Sequence, residues 1–163
     1  MLSDRLTRRT TFLGLLGLAG CGFVPVYGET SAIRGKFAFD TGNSVLGFHL
    51  GARLSDRLGA PDGPAYVIKV TARATERSAA ITAQGQQARF NLIGIADWSI
   101  VATATGQQIA TDRSEAFTSY AATSSTVATQ ATRDDARNRL AVILADMIVT
   151  RVLALASTGD LPG

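Results

Sequence analysis

Tyr66-Val67-Ile68-Lys69-Val70-Thr71-Ala72-Arg73-Ala74 is the stretch that decides the fold. Tyr66, Ile68, Val70, Ala72 and Ala74 fall on one side of an extended chain; Val67, Lys69, Thr71 and Arg73 fall on the other. Successive strand side chains point to opposite faces, so this alternation predicts a half-buried strand. The polar Thr75-Glu76-Arg77-Ser78 reads as a bulge, after which the strand resumes near Ala79 to Ala83. Gln84-Gly85-Gln86-Gln87 turns the chain. Phe90, Leu92, Ala96, Trp98, Ile100 and Ala102 then share one face of a long strand, with Gly94 read as a further bulge. Thr105-Gly106-Gln107 is the next turn, and Ile109 to Ala121 returns as another strand. Turns this short join antiparallel neighbours.

On the upstream side, Lys36 to Thr41 predicts a short strand, and Asn43 or Ser44 offers a helix cap. Val45, Leu46, Phe48, Leu50, Leu54 and Leu58 follow at mostly helical spacing. Gly47 and Gly51 weaken that helix by about 1 kcal/mol each relative to Ala, but glycines four apart let a helix lie close to a neighbour. Gly59-Ala60-Pro61-Asp62-Gly63-Pro64 ends it. On the downstream side, residues 122–130 are small and polar and read as a linker. Thr132 with Asp135 resembles a capping box, and Asp134 and Asp135 suit the positive start of a helix. Leu140, Ile143, Leu144, Met147, Ile148, Val152 and Leu155 form one apolar stripe, and Gly159 and Pro162 stop the helix.

The order is thus β-α-β-β-β-α. Two helices with one apolar stripe each and a sheet with one apolar face solve each other's burial problem, giving an α+β two-layer sandwich of two helices on a mixed four-stranded sheet. The opposite sheet face, with Lys69, Arg73, Arg89, Asn91, Thr103 and Thr105, must meet water or a polar partner.

The N-terminus carries a different message. Arg5, Arg8 and Arg9 precede the short apolar run Phe12 to Ala19, and Leu18-Ala19-Gly20-Cys21 closes it. A charged region, an apolar segment and small residues at a processing point make a secretory signal. The run is well short of the roughly 20 residues of a membrane span. Leu-Ala-Gly-Cys looks like a bacterial lipobox, in which the cysteine is acylated and the chain cut before it. Cys21 is the only cysteine; in an oxidising compartment an unpaired thiol is awkward, and acylation removes the difficulty. Gly22, where Asp would resemble an inner-membrane retention mark, favours the inner leaflet of the outer membrane, facing the periplasm. Arg8-Arg9 resembles a twin-arginine export mark, with Phe12-Leu13 one residue late, so Sec and Tat export both stay open. The organisation reads as signal peptide 1–20, lipid-anchored tether 21–35 (an extended or edge segment at Gly22 to Gly28), a single domain 36–158 and a tail 159–163.

Cleavage before Cys21 leaves 163 − 20 = 143 residues, one domain of ordinary size. The formal charge of +3 includes +2 from the signal (three Arg, one Asp), so the mature chain carries only +1. That balance gives no support for nucleic-acid binding. The inventory also opposes an enzyme. His49 is the only histidine and sits beside an apolar helix face. With no second His or Cys, a zinc site of usual ligands cannot be built. No Gly-x-Ser-x-Gly elbow or Gly-rich phosphate loop is present. No catalytic residue, cofactor or metal ligand is therefore assigned, and the one site residue is the lipidation candidate Cys21. Arg34 with Lys36, or Arg89 with Arg113, are candidates to face an anionic lipid headgroup, against solvated surface charges as the plainer reading.

Several short motifs converge on one family. They are Cys21-Gly22-Phe23-Val24-Pro25-Val26-Tyr27-Gly28, Leu54-Ser55-Asp56-Arg57-Leu58-Gly59, Ala96-Asp97-Trp98-Ser99-Ile100 before Thr105-Gly106, Ser119-Tyr120, and Asp134-Asp135-Ala136 through Leu144-Ala145-Asp146-Met147-Ile148 to Arg151. In this order they resemble the LPS-assembly lipoprotein family, the E component of the lipopolysaccharide transport (Lpt) machinery, across the whole mature chain. The resemblance implies two helices on a four-stranded sheet and no reaction. It implies a lipoprotein that plugs and helps assemble a large outer-membrane β-barrel, the D component, and supports delivery of lipopolysaccharide to the outer leaflet. Basic residues that contact lipopolysaccharide are proposed for the family, but they are not carried over to positions of this sequence, so that site stays unassigned. Trp98 stands where a tyrosine is more usual. An auxiliary lipoprotein of another envelope lipid transporter, and a lipoprotein enzyme, stay open as alternatives.

Overall fold

Ser44 starts the first helix. Its hydroxyl accepts a hydrogen bond from the Gly47 N–H at 3.0 Å, satisfying one of the donors that a helix start leaves unpaired. In the computed structural model, which describes residues 33–81, 87–123 and 125–161, the elements are β1 (Phe37–Asp40), α1 (Val45–Leu58), β2 (Tyr66–Ile81), β3 (Gln87–Ala102), β4 (Gln108–Ala121) and α2 (Thr126–Ser157). The sheet order is β1-β2-β3-β4. β1 runs parallel to β2, and the other pairs are antiparallel. This is the expected mixed four-stranded sheet with two helices, in the expected β-α-β-β-β-α order.

Both helices pack on the face that carries Ile68, Val70, Leu92, Ala96, Trp98 and Ile100. Leu46, Leu50, Leu54 and Leu58 of α1 and Leu140, Leu144, Ile148 and Val152 of α2 are buried there. Each such side chain contributes roughly 1.5–3 kcal/mol relative to exposure. The Trp98 indole N–H donates to Ser114 Oγ at 3.2 Å, so the largest core side chain leaves no unmet donor.

Gly47 and Gly51 meet the expected close neighbour, which is Thr41 in the β1–α1 connection. A Cβ on Gly47 would stand 2.1 Å from the Thr41 carbonyl oxygen, and one on Gly51 would stand 2.8 Å from its Oγ1. The α1 stripe itself is narrower than the sequence reading. Val45 and Phe48 are exposed, at 66% and 72%. Leu46, Leu50, Leu54 and Leu58 step by four residues, and Phe48 lies about half a turn from them.

Three further readings are corrected. Gly94 is not a bulge, since the register runs through it unbroken on both sides. Its missing side chain admits α2, because a Cβ there would stand 2.7 Å from Leu140 Cδ2. Thr75 to Ser78 stays in register too, with irregularity only beyond Ser78. Thr75 and Arg77 look out to the open face, and Glu76 has a cation partner at 3.2 Å in Arg133, so no polar group forces the strand apart. Finally, most of the supposed linker at 122–130 is helix. Ser125 caps α2, accepting from the Ala128 N–H at 3.3 Å. Thr132 is interior, and its hydroxyl donates to the carbonyls of Ala121 and Thr129. Asp134 and Asp135 therefore do not sit in the first turn; they pair along the helix with Arg137 and Arg139.

The α2 stripe is also rotated. Ala136, Ala141, Ala145 and Val149 are buried, whereas Ile143 and Met147 are 40% and 41% exposed. The cause is the second helix. Arg53 of α1 makes two bonds of 3.0 Å to the Asp146 carboxylate, so the flank of α2 beside Ala145 faces α1. Small residues suit such a contact, and the opposite flank is left over the edge of β4.

Candidate functional site

Among the described residues, the helices cover one face of the sheet and nothing covers the other. On that bare face the odd-numbered residues of β2, β3 and β4 stand in rows set by the register. One row is Thr75, Ile93 and Phe117; the next is Arg73, Ile95 and Glu115; the next is Thr71, Asp97 and Arg113. Phe117 is 71% exposed, and Ile93 and Ile95 beneath it are half-buried. An apolar patch thus sits in the middle of a charged surface. Lys69, Arg73, Arg77, Arg89 and Arg113 are the cations of this face, and Asp40, Asp97 and Glu115 its anions.

Asp97 organises the charges. Arg113 and Arg73 each donate to one of its two oxygens, the Arg73 bond at 2.8 Å. These bonds, that of Arg113 foremost, hold the carboxyl below the usual aspartate range. One anion between two guanidinium groups leaves positive charge to spare, directed outward. Both arginines are more than half exposed, so they remain accessible to an anionic partner.

A second cluster closes the far end of the sheet. Arg133 donates to the Tyr120 hydroxyl at 3.0 Å and to Glu76 at 3.2 Å, and the Phe90 ring stacks on Tyr120 at 5.2 Å. Burial, as the main cause, raises the Tyr120 hydroxyl above its usual pKa. This cluster fastens the start of α2 to the sheet; its groups satisfy each other and offer no reactive atom.

The residues singled out in the sequence are placed as follows. Cys21, the tether up to residue 32 and the turn at Gly85 lie outside the described residues. His49 packs edge-on to Phe48, ring centroids 5.7 Å apart. Arg34 and Lys36 stand together ahead of β1. Arg89 and Arg113 share the open face, but Arg113 is opposite Asp97 on β3, eight positions from Arg89, or about 26 Å along a strand; they cannot hold one headgroup. Thr103 and Thr105 belong to the turn ending at Gly106, not to the strand face. Among the described residues, no three His, Cys, Asp or Glu side chains come together as a metal site.

The apolar patch was missed in a face read as polar. Its signal was present in Leu92-Ile93-Gly94-Ile95-Ala96, which is apolar at every position. Such runs mark strands covered on both faces, whereas here the described residues cover only one face.

Comparison with known proteins agrees with this architecture. The sequence pattern of LptE, described as lipopolysaccharide-assembly, matches residues 36–152. The chain belongs to the LptE family. Among solved structures, a lipoprotein of Caulobacter crescentus is similar with a TM-score of 0.68 at 19% identity, over 81% of this chain and 98% of that one. Rare lipoprotein B of Shewanella oneidensis has a TM-score of 0.55 at 12% identity, over 76% and 96%. Lipoprotein B of Nitrosomonas europaea has 0.56 at 14%, over 76% and 83%. At these identities the likeness is one of fold. No curated protein matches the sequence. The LptE-family match covers the whole sheet and both helices as far as residue 152, and so includes the strands that form the bare face.

Proposed function

We propose that this LptE-family chain is an outer-membrane lipoprotein, held in the inner leaflet by acylated Cys21 and facing the periplasm. It plugs and helps assemble the β-barrel of the lipopolysaccharide transport machinery, the D component, and supports delivery of lipopolysaccharide to the outer leaflet. It acts by shape and distributed contacts and performs no reaction. The observation that carries this reading is the bare sheet face: Phe117, Ile93 and Ile95 lie beside arginines that Asp97 holds in place. An apolar patch within a charged surround marks an interaction surface. The charged surround suits the polar interior of a large outer-membrane barrel, and the same arginines suit the phosphates of lipopolysaccharide.

A photo-reactive residue at Phe117 should cross-link to the barrel protein, and one at Ile143, on the helix side, should not. Depleting the protein should leave the barrel misassembled and lower surface lipopolysaccharide. Unchanged barrel assembly and surface lipopolysaccharide, with another envelope lipid in the wrong membrane, would replace this reading by that of an auxiliary lipoprotein for a different transporter.

A further inference from the structure

We propose that β4 pairs edge to edge with β4 of a second copy, antiparallel about a two-fold axis at Ser114, so that Arg113 of each chain faces Glu115 of the other. This interface lies on the rim of the sheet and stands apart from the transport reading.

The direction of the β4 backbone is the first observation. Its register with β3 runs unbroken from Ala110 to Ala121, and hydrogen-bonding groups alternate in direction along such a strand. The Ser119 carbonyl accepts from the Arg139 guanidinium at 3.1 Å, and the Ala121 carbonyl from the Thr132 hydroxyl at 3.2 Å. Both donors belong to α2, so the odd-numbered groups of β4 point away from β3. Side chains of α2 thus hold the last two of these carbonyls. The N–H and C=O of Thr111, Arg113, Glu115 and Phe117 point outward along the rest of the edge.

The space beside that edge is the second observation. A groove of about 430 Å³ runs along Asp112 to Ser114, between β4 and Met147, Thr150, Arg151 and Ala154 of α2. Ile143 and Met147 are 40% and 41% exposed on the flank of α2 above it. The Arg113 side chain is 61% exposed. An edge strand with apolar side chains above it is a template for another strand.

The charges along β4 choose the occupant. Outward groups of two edges must meet each other. The registers that keep most of the stretch from Thr111 to Phe117 paired with itself centre on Arg113, Ser114 or Glu115. Centring on Arg113 opposes two arginines, and centring on Glu115 opposes two glutamates; like charges directly opposite are destabilising. Centring on Ser114, the midpoint of the stretch, sets Arg113 against Glu115 twice and Thr111 against Phe117 twice. Arg113 shares Asp97 with Arg73, so a second carboxylate balances the second guanidinium. An edge whose own charges favour one symmetric register fits a copy of itself. The helices agree with that axis. Met147 lines the groove beside Ser114, so the two-fold brings Met147 of both copies together. Directly opposed residues put their side chains on one face, so the two bare faces join into one surface.

The test uses the mature chain, residues 21–163, carrying Cys21→Ser. Its mass by sedimentation equilibrium should rise from one chain to two with concentration. Glu115→Arg sets arginine against arginine, and Arg113→Glu sets glutamate against glutamate; each alone should weaken association about tenfold or more. Mixed together, the two variants oppose glutamate and arginine at both pairs, and the dimer should return. Amide exchange at Ile100, a check on the fold, should be equal in every sample, and exchange at Glu115 should slow as the wild type associates. A single-chain mass at every concentration would overturn the proposal. So would a dimer indifferent to Glu115→Arg, or a mixture of folded variants that stays monomeric. Slow Glu115 exchange in a chain that remains a monomer would assign the edge to the chain's own residues and overturn it equally.

Discussion

Replacing Gly47 by Ala sets helix propensity against packing, and the structure says which wins. Alanine favours a helix over glycine by about 1 kcal/mol. The new Cβ, however, would stand 2.1 Å from the Thr41 carbonyl oxygen, where real contacts do not fall below 3.0 Å. Backbone must therefore move by about 0.9 Å. Thr41 has little room to move, because only residues 41–44 connect β1 to α1. The same Cβ would also lie 3.1 Å from Ser44 Oγ, the oxygen that caps the helix. Overpacking of this kind costs about 1–3 kcal/mol, and a disturbed cap about 1 kcal/mol more. Net destabilisation of about 1–3 kcal/mol is expected. Gly51→Ala is the control. Its Cβ would meet the Thr41 side-chain oxygen at 2.8 Å, and a side chain can rotate away, so this variant should be neutral or up to about 1 kcal/mol more stable. Urea unfolding followed by the fluorescence of buried Trp98 would measure both. At a slope near 2 kcal/mol/M, a loss of 2 kcal/mol lowers the midpoint by roughly 1 M. A Gly47→Ala protein as stable as Gly51→Ala would refute the close approach of α1 to Thr41.

Leu144→Ala should cost about 2–5 kcal/mol, since Leu144 is 0% exposed, whereas Met147→Ala, at a site 41% exposed, and Arg139→Ala should each cost well under that; equal losses in urea titrations would mean that the phase of α2 is misplaced. Asp97 should titrate below the usual aspartate range, and Arg113→Ala should move it upward, because Arg113 is the main cause of the shift. Its folded pKa is depressed, so the associated stabilisation is present above the unfolded value and fades as pH falls through the folded one; a carbon-detected NMR titration that put Asp97 in the usual range, unmoved by Arg113→Ala, would mean that the Arg73–Asp97–Arg113 cluster does not form. For the anchor, intact-mass analysis should find Cys21 acylated at the mature N-terminus, and Cys21→Ser should release the protein from membranes or leave it uncleaved; an unmodified Cys21 in the wild type would contradict lipidation.

The sequence by itself determined the element order, the antiparallel β2–β3–β4 meander and the two-layer packing, because these rest on periodicity. The alternation from Tyr66 to Ala74 and the leucines from Leu46 to Leu58 state a face without reference to any partner. The same local chemistry marks Cys21, whose proposed role depends on the residues next to it. What periodicity cannot state is which of two neighbours an apolar flank meets. α2 turned toward α1, burying Ala141, Ala145 and Val149 and leaving Ile143 and Met147 at the edge, since a helix packed on both a sheet and another helix needs a second, smaller-sided face. Gly94 looked like an irregularity until Leu140 was found occupying the space above it. Ser125 to Gln130 looked like a linker because threonine and alanine carry little apolar signal; only the carbonyls at the end of β4 decide that Thr132 is inside a helix. The bare face followed the same rule. Its cations were legible as alternating polar positions, but Phe117 joined Ile93 and Ile95 through register between strands, and register is a property of the assembled sheet, not of any one strand.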